Sequence, residues 1–514
     1  MPEKMLGKIK NNILPQWKVC FISALLMGLV AHLYKITNWL PNWDSLVFRY
    51  DAQNMIGLGR WFLPVVCAPS SFYDLPFIAG FLAILFYALG AVCVCKMFDV
   101  QKKITAALIG ALVATFPPVA SALMYNYVAD GYAIAFFISC IAAMVLAQDK
   151  PKIRIAAILI ALSAGIYQAF ITVTILLLLL HLITELLYKN SDFKTLVLKC
   201  VKYLIAGVLG MVLYYLVLTV LIKITKAELL DYQGFGSATS MGGLNLRDTL
   251  YTIKQSFLGY FFDFSEGWTV FSVLNIIMLV LTVALYLTDA IRSKIGLLKA
   301  LLLCVLAVLL PVSASVLSFL NSSIDYHNLM KMGFFVFYLF LILQYEKTAF
   351  AKEKYNTAKC WTILVLTVVL IFNQVIIANI SYHKLNMAYE KSYGTLIRIA
   401  DRIEQTEGSE NCDSVLVIGH LEESKAYSAL VSLDMTGTTD GYILRADDEV
   451  VGQSVVCSAL NDYCGKQYTF LAGEEKQALL KKIEEKKLGN WPAKDSISVT
   501  DNVIIIKLGD EAVK

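Results

Sequence analysis

Apolar stretches recur along this chain, and most of them have the length that a helix needs to cross a lipid bilayer. A spanning helix takes about 20 predominantly apolar residues, and in lipid its backbone hydrogen bonds must be satisfied internally. Hydrophobic residues make up 58% of the 514 residues and charged residues only 16%, fewer than a soluble globular protein carries. The pattern predicts an all-α polytopic membrane bundle with eleven spans. They lie near residues 19–36, 76–95, 104–121, 131–147, 153–166, 168–187, 201–221, 269–288, 298–318, 330–345 and 360–379.

The fifth and sixth spans come from one nearly continuous apolar stretch, residues 153–187. A single straight helix of that length would be roughly 50 Å long, well beyond the hydrocarbon core. Basic residues flank the stretch on both sides, at Lys150, Lys152 and Lys189. We therefore predict two shorter passes that turn at Gly165–Gln168. This turn sets the side of the membrane for every later loop.

The loops between the spans differ in charge, and cytoplasmic loops of membrane proteins carry an excess of Lys and Arg. With a cytoplasmic N-terminus, the inside segments hold 21 Lys and Arg residues, and the outside segments before the tail hold eight. The outside set is Lys35, Arg49, Arg60, Lys223, Lys226, Arg247, Lys254 and Lys331. We predict a multi-pass protein of the plasma membrane. Its first loop, residues 37–75, and the chain after residue 379 would face outside.

The composition changes after residue 379. Leu396, Ile399 and Ile403 share one face of a predicted amphipathic helix at 386–405. Two buried strands and a charged surface helix are predicted at 414–420, 502–508 and 474–487. The chain therefore divides into a transmembrane domain, residues 1–379, and a small extracytoplasmic α/β domain, residues 380–514.

Two further features lie in segments that are predicted to face outside. The second long outside loop, residues 222–268, contains the glycine-rich GFGSATSMGG at 234–243, which predicts a flexible segment. In the tail, Cys457 and Cys464 would be able to pair in an oxidising exterior. The sequence leaves both the disulfide and two free thiols open.

The first outside loop carries a dense group of charged and aromatic residues, in NWDSLVFRYDAQNMIGLGRW at 42–61. Asp44 and Asp51 would lie roughly 10 Å apart on one helical face, too far to share a proton. One of them is a candidate general base and the other would orient a substrate; alternatively both are solvated residues at the membrane edge. Arg49 and Arg60 present planar guanidinium groups that suit phosphate, although arginine also anchors at lipid headgroups.

Further polar positions lie near the outer ends of later spans. Asp130, in MYNYVADGY, lies where an outside turn re-enters the membrane. A carboxylate at that depth is costly and indicates either a function or an N-cap for the next helix. Tyr167 and Gln168 form the polar tip of the short hairpin, where they line a cavity or satisfy the turn. His327, beside Asp325, is a further candidate.

The sequence lacks several motifs of cofactor-dependent enzymes. It has no P-loop and no dinucleotide fingerprint. It also has no Asp-x-Asp triplet and no His, Cys and carboxylate cluster with metal-ligand spacing. We therefore expect no resident cofactor and no divalent metal. The formal net charge of +4 gives no indication of a nucleic-acid partner.

Taken in order along the chain, these motifs resemble the GT-C class of membrane glycosyltransferases. More closely, the chain resembles the bacterial Gtr type II glucosyltransferases, the family known for O-antigen glucosylation. The matching pieces are Asp44 followed by Gly59-Arg60, FPPVASALMYNYVAD ending at Asp130, and Tyr167-Gln168-Ala169. Their order and spacing agree over residues 40–180. Trp43 and Trp61 stand where the family often has an acid and a proline.

The resemblance implies a polyprenyl-phosphate sugar donor, typically of glucose, and a lipid-linked or cell-surface glycan as acceptor. Membrane lipid, a small flippase and an upstream polyprenyl-phosphate sugar synthase are implied as partners. Asp44 would be the catalytic base. The substrate-binding residues would be Asp51, Arg49, Arg60, Asp130, Tyr167 and Gln168, with the arginines on the departing phosphate.

Two functions of other classes are also compatible with a protein of this composition. A transporter or flippase of lipid-linked glycan would carry polar residues through the middle of its spans and pseudo-repeats between its halves, and neither pattern is visible. A membrane-anchored protein whose tail binds cell-wall polymer would keep its function without the charge of Asp44. A glycosyltransferase would not.

Overall fold

The computed structural model describes residues 13–42, 44–45, 55–189, 191–230, 245–262, 269–293, 295–322, 324–348, 354–421, 451–464 and 466–510. The chain forms two compact units. The first contains Met1–Asn38 and Asp51–Asn379, and the second contains Trp39–Tyr50 and Ile380–Lys514. The second unit therefore includes a piece of the first loop, residues 37–75.

The described part of the first unit is predominantly helical, and its last helix continues past Asn379 into the second unit. Its helices are α1 (Pro15–Thr37), α2 (Leu63–Cys67), α3 (Pro76–Met97), α4 (Lys103–Thr115), α5 (Pro117–Met124), α6 (Ala129–Leu146), α7 (Ile153–Ile166), α8 (Ile171–Tyr188), α9 (Phe193–Thr225), α10 (Leu246–Phe261), α11 (Val270–Arg292), α12 (Leu297–Ala314), α13 (Phe335–Thr348) and α14 (Lys354–Glu404). Among the described residues, ten helical segments are long and apolar enough to cross a membrane, and α7 is a shorter apolar helix. The predicted polytopic all-α bundle is confirmed.

The break between the fifth and sixth spans lies where the sequence predicts it. Helix α7 ends at Ile166, and α8 begins at Ile171 after a 3₁₀ turn, Gln168–Phe170. Tyr167 joins them in an extended conformation, with φ −159° and ψ 120°. The apolar stretch therefore folds as two helices.

The bundle combines tightly packed helices with helices whose apolar side chains remain exposed. Helix α1 packs against α3 and α4, α6 packs against α3 and α7, and α8 contacts α6 and α12. Leu204 on α9 is 68% exposed and Val308 on α12 is 65% exposed. Exposed leucine and valine along a helix indicate a surface that faces lipid, because lipid replaces the protein neighbours that such side chains need in water.

Two helices differ from the predictions. The long loop predicted at 222–268 contains the amphipathic helix α10, which Asn245 caps by accepting a hydrogen bond from the Arg247 N–H (3.1 Å). The glycine-rich 234–243 lies outside the described residues. The predicted amphipathic helix at 386–405 is the continuation of the last span, because α14 runs unbroken for 51 residues. No proline interrupts this stretch, so nothing forces the helix to end at the membrane surface.

The second unit is an α/β domain around a four-stranded sheet of β1 (Ser414–Ile418), β2 (Thr469–Phe470), β3 (Ile497–Thr500) and β4 (Val503–Lys507), in the order β2-β1-β4-β3. Strand β1 pairs in parallel with β2 and β4, and β3 pairs antiparallel with β4. One face packs on the end of α14 and on α15 (Val451–Tyr463), and the other packs on α16 (Gly473–Lys486). Alternate residues of β1 therefore enter two different cores.

Both cysteines of the tail pair considered above are free. Cys457 lies on α15, and its thiol donates a hydrogen bond to the Tyr468 carbonyl (3.1 Å). Cys464 follows the same helix, two turns further on, which places the two Cα atoms roughly 10 Å apart. A disulfide needs Cα atoms within about 7 Å. The helix therefore excludes this disulfide.

Candidate functional site

Arg60 follows a tight turn in the first loop, residues 37–75. Residues Ile56–Leu58 form a 3₁₀ turn that ends at Gly59, whose φ is 73°. The Gly59 N–H donates to the Ile56 carbonyl (2.8 Å), and the Arg60 N–H donates to Met55 (3.1 Å). Glycine adopts this left-handed conformation without strain. The Gly59-Arg60 pair is thus a turn that fixes where the arginine side chain begins.

The Arg60 side chain lies against two stacked tyrosines. Its Cζ atom is 4.7 Å from the centroid of the Tyr167 ring, and its Nη1 donates to the Tyr132 hydroxyl (3.3 Å). The rings of Tyr132 and Tyr167 stack at 5.1 Å. Both tyrosines are buried, whereas Arg60 is half-buried. A guanidinium held over an aromatic face gains about 0.5–2 kcal/mol and keeps a fixed orientation.

Gln168 holds the turn before Arg60 through side-chain hydrogen bonds. Its Nε2 donates to the Leu58 carbonyl (2.9 Å) and to the Tyr214 hydroxyl (3.0 Å). The Tyr214 hydroxyl in turn donates to the Gly59 carbonyl (3.1 Å). Both amide hydrogens of Gln168 are therefore engaged by protein, and they hold the turn that precedes Arg60.

Trp61 packs into the same region. A Cβ atom on Gly165 would lie 2.6 Å from Cε2 of the Trp61 ring, so only a glycine leaves room for the indole. The Phe62 N–H donates to the Gly165 carbonyl (2.7 Å). The first loop is thus hydrogen-bonded directly to the end of α7.

Asp130 is fully buried in the first turn of α6, where its Oδ1 accepts a hydrogen bond from the Gly131 N–H (2.9 Å). The N-cap residue is Val128, so the N-cap interpretation of Asp130 is wrong. Residues two apart on a helix face different directions. Asp130 accordingly lies beside Cys67, whereas Tyr132 reaches Arg60. Burial and this neighbouring carboxylate raise the pKa of the Cys67 thiol well above its usual value.

A buried lysine fixes the turn before Asp130. Lys35, in the last turn of α1, is 0% exposed, and its Nζ donates to Asn126 Oδ1 (2.9 Å). The buried Asp74 carboxylate also acts on this ammonium group. Sequence reasoning counted Lys35 only as a loop charge. The signal for its role was a lysine inside the last turn of an apolar span.

Asp44 lies in the second unit. Asn42 Oδ1 accepts a hydrogen bond from the Ser45 N–H (2.9 Å), which starts a short helical turn around the half-buried Asp44. Trp39 packs edge-on against Tyr389 of α14 at 5.8 Å between ring centroids. This part of the loop is therefore held by α14. The predicted site residues Arg49 and Asp51 lie outside the described residues.

The structure brings Arg60, Tyr167 and Gln168 into one cluster in the first unit, with Asp130 at the start of the helix that carries Tyr132. Sequence reasoning missed Tyr132 and Tyr214. No group of three or more His, Cys, Asp and Glu side chains is arranged to hold a metal ion in the described part of the chain. The cluster offers a guanidinium of fixed orientation, which suits an anionic group.

Comparison with known families gives one match. Residues 33–343 match the sequence model of the family described as Glucosyl transferase GtrII. The match covers more than half of the chain, contains every predicted site residue, and confirms the resemblance that the motifs indicate. No curated protein and no solved structure matches the chain.

Proposed function

Because the chain belongs to the GtrII glucosyl transferase family, we propose that it moves glucose from a polyprenyl-phosphate carrier to a glycan. The acceptor would be a lipid-linked or cell-surface glycan at the outer face of the plasma membrane. The chain is a multi-pass membrane protein with ten helices of spanning length in its described part. The proposal therefore concerns the identity of the carrier, the identity of the acceptor and the side of the membrane on which transfer occurs.

The observation that carries this proposal is the fixed position of Arg60. Its guanidinium lies 4.7 Å from the Tyr167 ring centroid and donates to the Tyr132 hydroxyl, so it is oriented before any substrate arrives. Guanidinium presents several N–H donors in a plane, which matches the oxygens of phosphate. Transfer from a lipid phosphate leaves additional negative charge on the departing phosphate, and a preorganised cation at that point lowers the barrier.

Asp44 takes the role of general base in this proposal. It would accept the proton of the acceptor hydroxyl as that oxygen attacks the anomeric carbon, a contribution of roughly 10²–10⁴-fold. The bond from the anomeric carbon to the phosphate oxygen breaks, and the lipid phosphate leaves. Arg49 would assist Arg60. The remaining predicted site residues would bind the substrates or position the groups that bind them; these are Asp51, Asp130, Tyr167 and Gln168. We propose no resident cofactor and no divalent metal.

The charge distribution of the loops supports the outer face as the place of reaction. In this proposal the N-terminus is cytoplasmic, as the Lys and Arg distribution favours. The short helix α7 counts as an eleventh crossing beside the ten helices of spanning length, so that the first loop and the C-terminal domain would both be extracytoplasmic. Nucleotide sugars are cytoplasmic, so a donor used outside must arrive on a lipid. A polyprenyl-phosphate sugar synthase and a small flippase acting upstream would supply it.

The test is sugar transfer from polyprenyl-phosphate glucose in membranes that contain Asp44→Asn or Arg60→Ala. We expect each substitution to reduce transfer at least 100-fold, because each removes a group acting in the transition state. Asp149→Asn and Arg154→Ala are matched controls, since both side chains are exposed near the start of α7, and they should retain transfer. Full activity in both the Asp44 and the Arg60 variants would contradict the site.

A further inference from the structure

The connector before α13 lies against the turn that carries Tyr167. Its residues Asn328–Phe334 form a 3₁₀ segment that contacts the Gln168–Phe170 turn. At Gly333, an added Cβ atom would lie 3.0 Å from Thr172 Oγ1 and 2.8 Å from Leu176 Cδ1. This close packing fixes the connector against the beginning of α8. His327 directly precedes this segment, which contacts the turn that follows Tyr167 of the Arg60 cluster.

Three charged groups act on the His327 imidazole. Arg60 and Lys331 both favour its neutral form, and Asp325 favours the charged form. Burial is the largest influence and lowers the pKa of His327 to about 4. The side chain is therefore neutral at neutral pH and lies within electrostatic reach of the Arg60 guanidinium. A neutral imidazole offers one N–H donor without adding charge.

One ring nitrogen of His327 is buried and unsatisfied. Nδ1 has no hydrogen-bond partner among the described residues. Two polar groups beside it do have partners: the Tyr326 hydroxyl accepts from the Ser318 N–H (3.0 Å), and the Met330 N–H donates to the His327 carbonyl (3.0 Å). The nearby Ser318 hydroxyl is, like Nδ1, buried without a partner among the described residues. Most buried polar atoms in proteins are paired, so an exception calls for an explanation. One explanation is a ligand that accepts a hydrogen bond from this nitrogen.

We propose that the Nδ1–H of His327 donates a hydrogen bond to the phosphate of the lipid-linked donor, beside Arg60. This inference rests on the proposed function and adds a substrate-binding residue to it. The chemistry is that of a phosphate ester: two neighbouring cations attract the anion, and a neutral donor completes its hydrogen bonds. The hydrogen bond persists as the sugar leaves, because the phosphate oxygens remain acceptors throughout.

Three substitutions of His327 distinguish a hydrogen bond donated by Nδ1 from an effect of side-chain volume alone. The amide nitrogen of asparagine approximates Nδ1, that of glutamine approximates Nε2, and alanine supplies neither. We expect His327→Ala and His327→Gln to lower kcat/KM for polyprenyl-phosphate glucose roughly 10- to 100-fold, the range for a lost hydrogen bond to a charged group. His327→Asn should stay within about threefold of wild type on the same reasoning. His383→Ala, an exposed histidine, is the matched control.

Binding provides the second readout. Polyprenyl phosphate without sugar should bind the wild type and inhibit it, and His327→Ala should weaken that binding by a similar factor. Inorganic phosphate should inhibit poorly, because it lacks the lipid; equal inhibition by both would point to a free-phosphate site and overturn the lipid-donor assignment. Melting temperature and elution profile in detergent show whether each variant folds.

The possible failures are distinguishable. Unchanged kcat/KM and unchanged polyprenyl-phosphate binding in a folded His327→Ala protein would overturn the role of His327 alone. Better retention by the glutamine variant than by the asparagine variant would overturn the assignment to Nδ1. If the wild type transfers no sugar from polyprenyl-phosphate glucose, the proposed function fails. The binding measurement then still decides whether His327 contacts phosphate.

Discussion

The guanidinium of Arg60 and the ring of Tyr167 face each other at 4.7 Å, although they come from different elements, the first loop and the break between α7 and α8. The stack joins a flexible cation to a buried ring, so little of the arginine's conformational entropy remains to be lost when an anion binds. The contact and the residues packed around it can be tested by substitution.

Removing the Tyr167 ring should free the orientation of the Arg60 guanidinium without removing its charge. We expect Tyr167→Leu to lower kcat/KM for the donor roughly 3- to 30-fold, the equivalent of one cation–π contact of about 0.5–2 kcal/mol. Tyr167→Phe keeps the aromatic face and should remain near wild type. Steady-state transfer assays in membranes measure both. Equal losses in the two variants would show that the hydroxyl, and not the ring face, matters.

Gly165→Ala should displace the Trp61 ring, because the new Cβ would lie 2.6 Å from Cε2. Overpacking of this kind costs about 1–3 kcal/mol, and it would also move the turn that carries Arg60. We expect a lower melting temperature and at least a tenfold loss of transfer. Gly207→Ala on α9 is the control, since no atom lies within 4 Å of its added Cβ. A Gly165→Ala protein with wild-type melting and transfer would contradict the packing.

Lys35→Met should destabilise the first unit. The substitution removes the donor to the buried Asn126 Oδ1 and a cation on which Asp74 acts, and breaking a buried charge pair in this way costs roughly 3–5 kcal/mol. Thermal unfolding in detergent measures the loss. The double variant Lys35→Met/Asp74→Leu should recover part of it. Lys18→Met, an exposed lysine on the same helix, should have little effect; a similar loss there would argue against a specific interaction.

Acid should destabilise the protein through His327. Its pKa is lowered from 6.5 to about 4 in the folded state, so below pH 6.5 the unfolded chain binds a proton that the folded chain does not. The contribution to stability is complete above pH 6.5 and is lost as the pH falls toward 4. Asp325, Lys331 and Arg60 are the charged groups that act on this imidazole.

The measurement is the melting temperature of the purified protein between pH 4 and 7.5. We expect a shallower decline in His327→Asn than in the wild type, because asparagine cannot titrate. His383→Asn should follow the wild type. Parallel curves for wild type and His327→Asn would show that the imidazole does not titrate across this range.

Much of the fold was predictable because it depends on local chemistry. The length of each apolar stretch determines whether it can span a bilayer, and the break at Tyr167 lies in an apolar stretch longer than one span needs. In the tail, runs such as Val415–Ile418 and Val503–Ile506 become strands because β-branched residues suit a buried sheet. Helix α10 was missed because its apolar face is narrower than that of a span and lies beside a glycine-rich segment.

The candidate site was predictable in its residue types and only partly in its contacts. Arg60, Tyr167, Gln168 and Asp130 stood out by chemistry and position along the chain. The sequence did not show that Gln168 supports the turn before Arg60, or that Lys35 holds Asn126. Nor did it show that the loop around Asp44 belongs with the second unit. Each of these depends on which helix faces which, and hydropathy does not record that.

The sequence by itself therefore determined the spans, their break and the strands of the tail, because solvent and lipid act on every segment separately. The tertiary structure alone decided that Tyr132 and Tyr167 stack beneath Arg60, and that His327 lies within reach of the same cation. These contacts join residues far apart in the chain. They exist because packed helices leave each side chain a single set of neighbours.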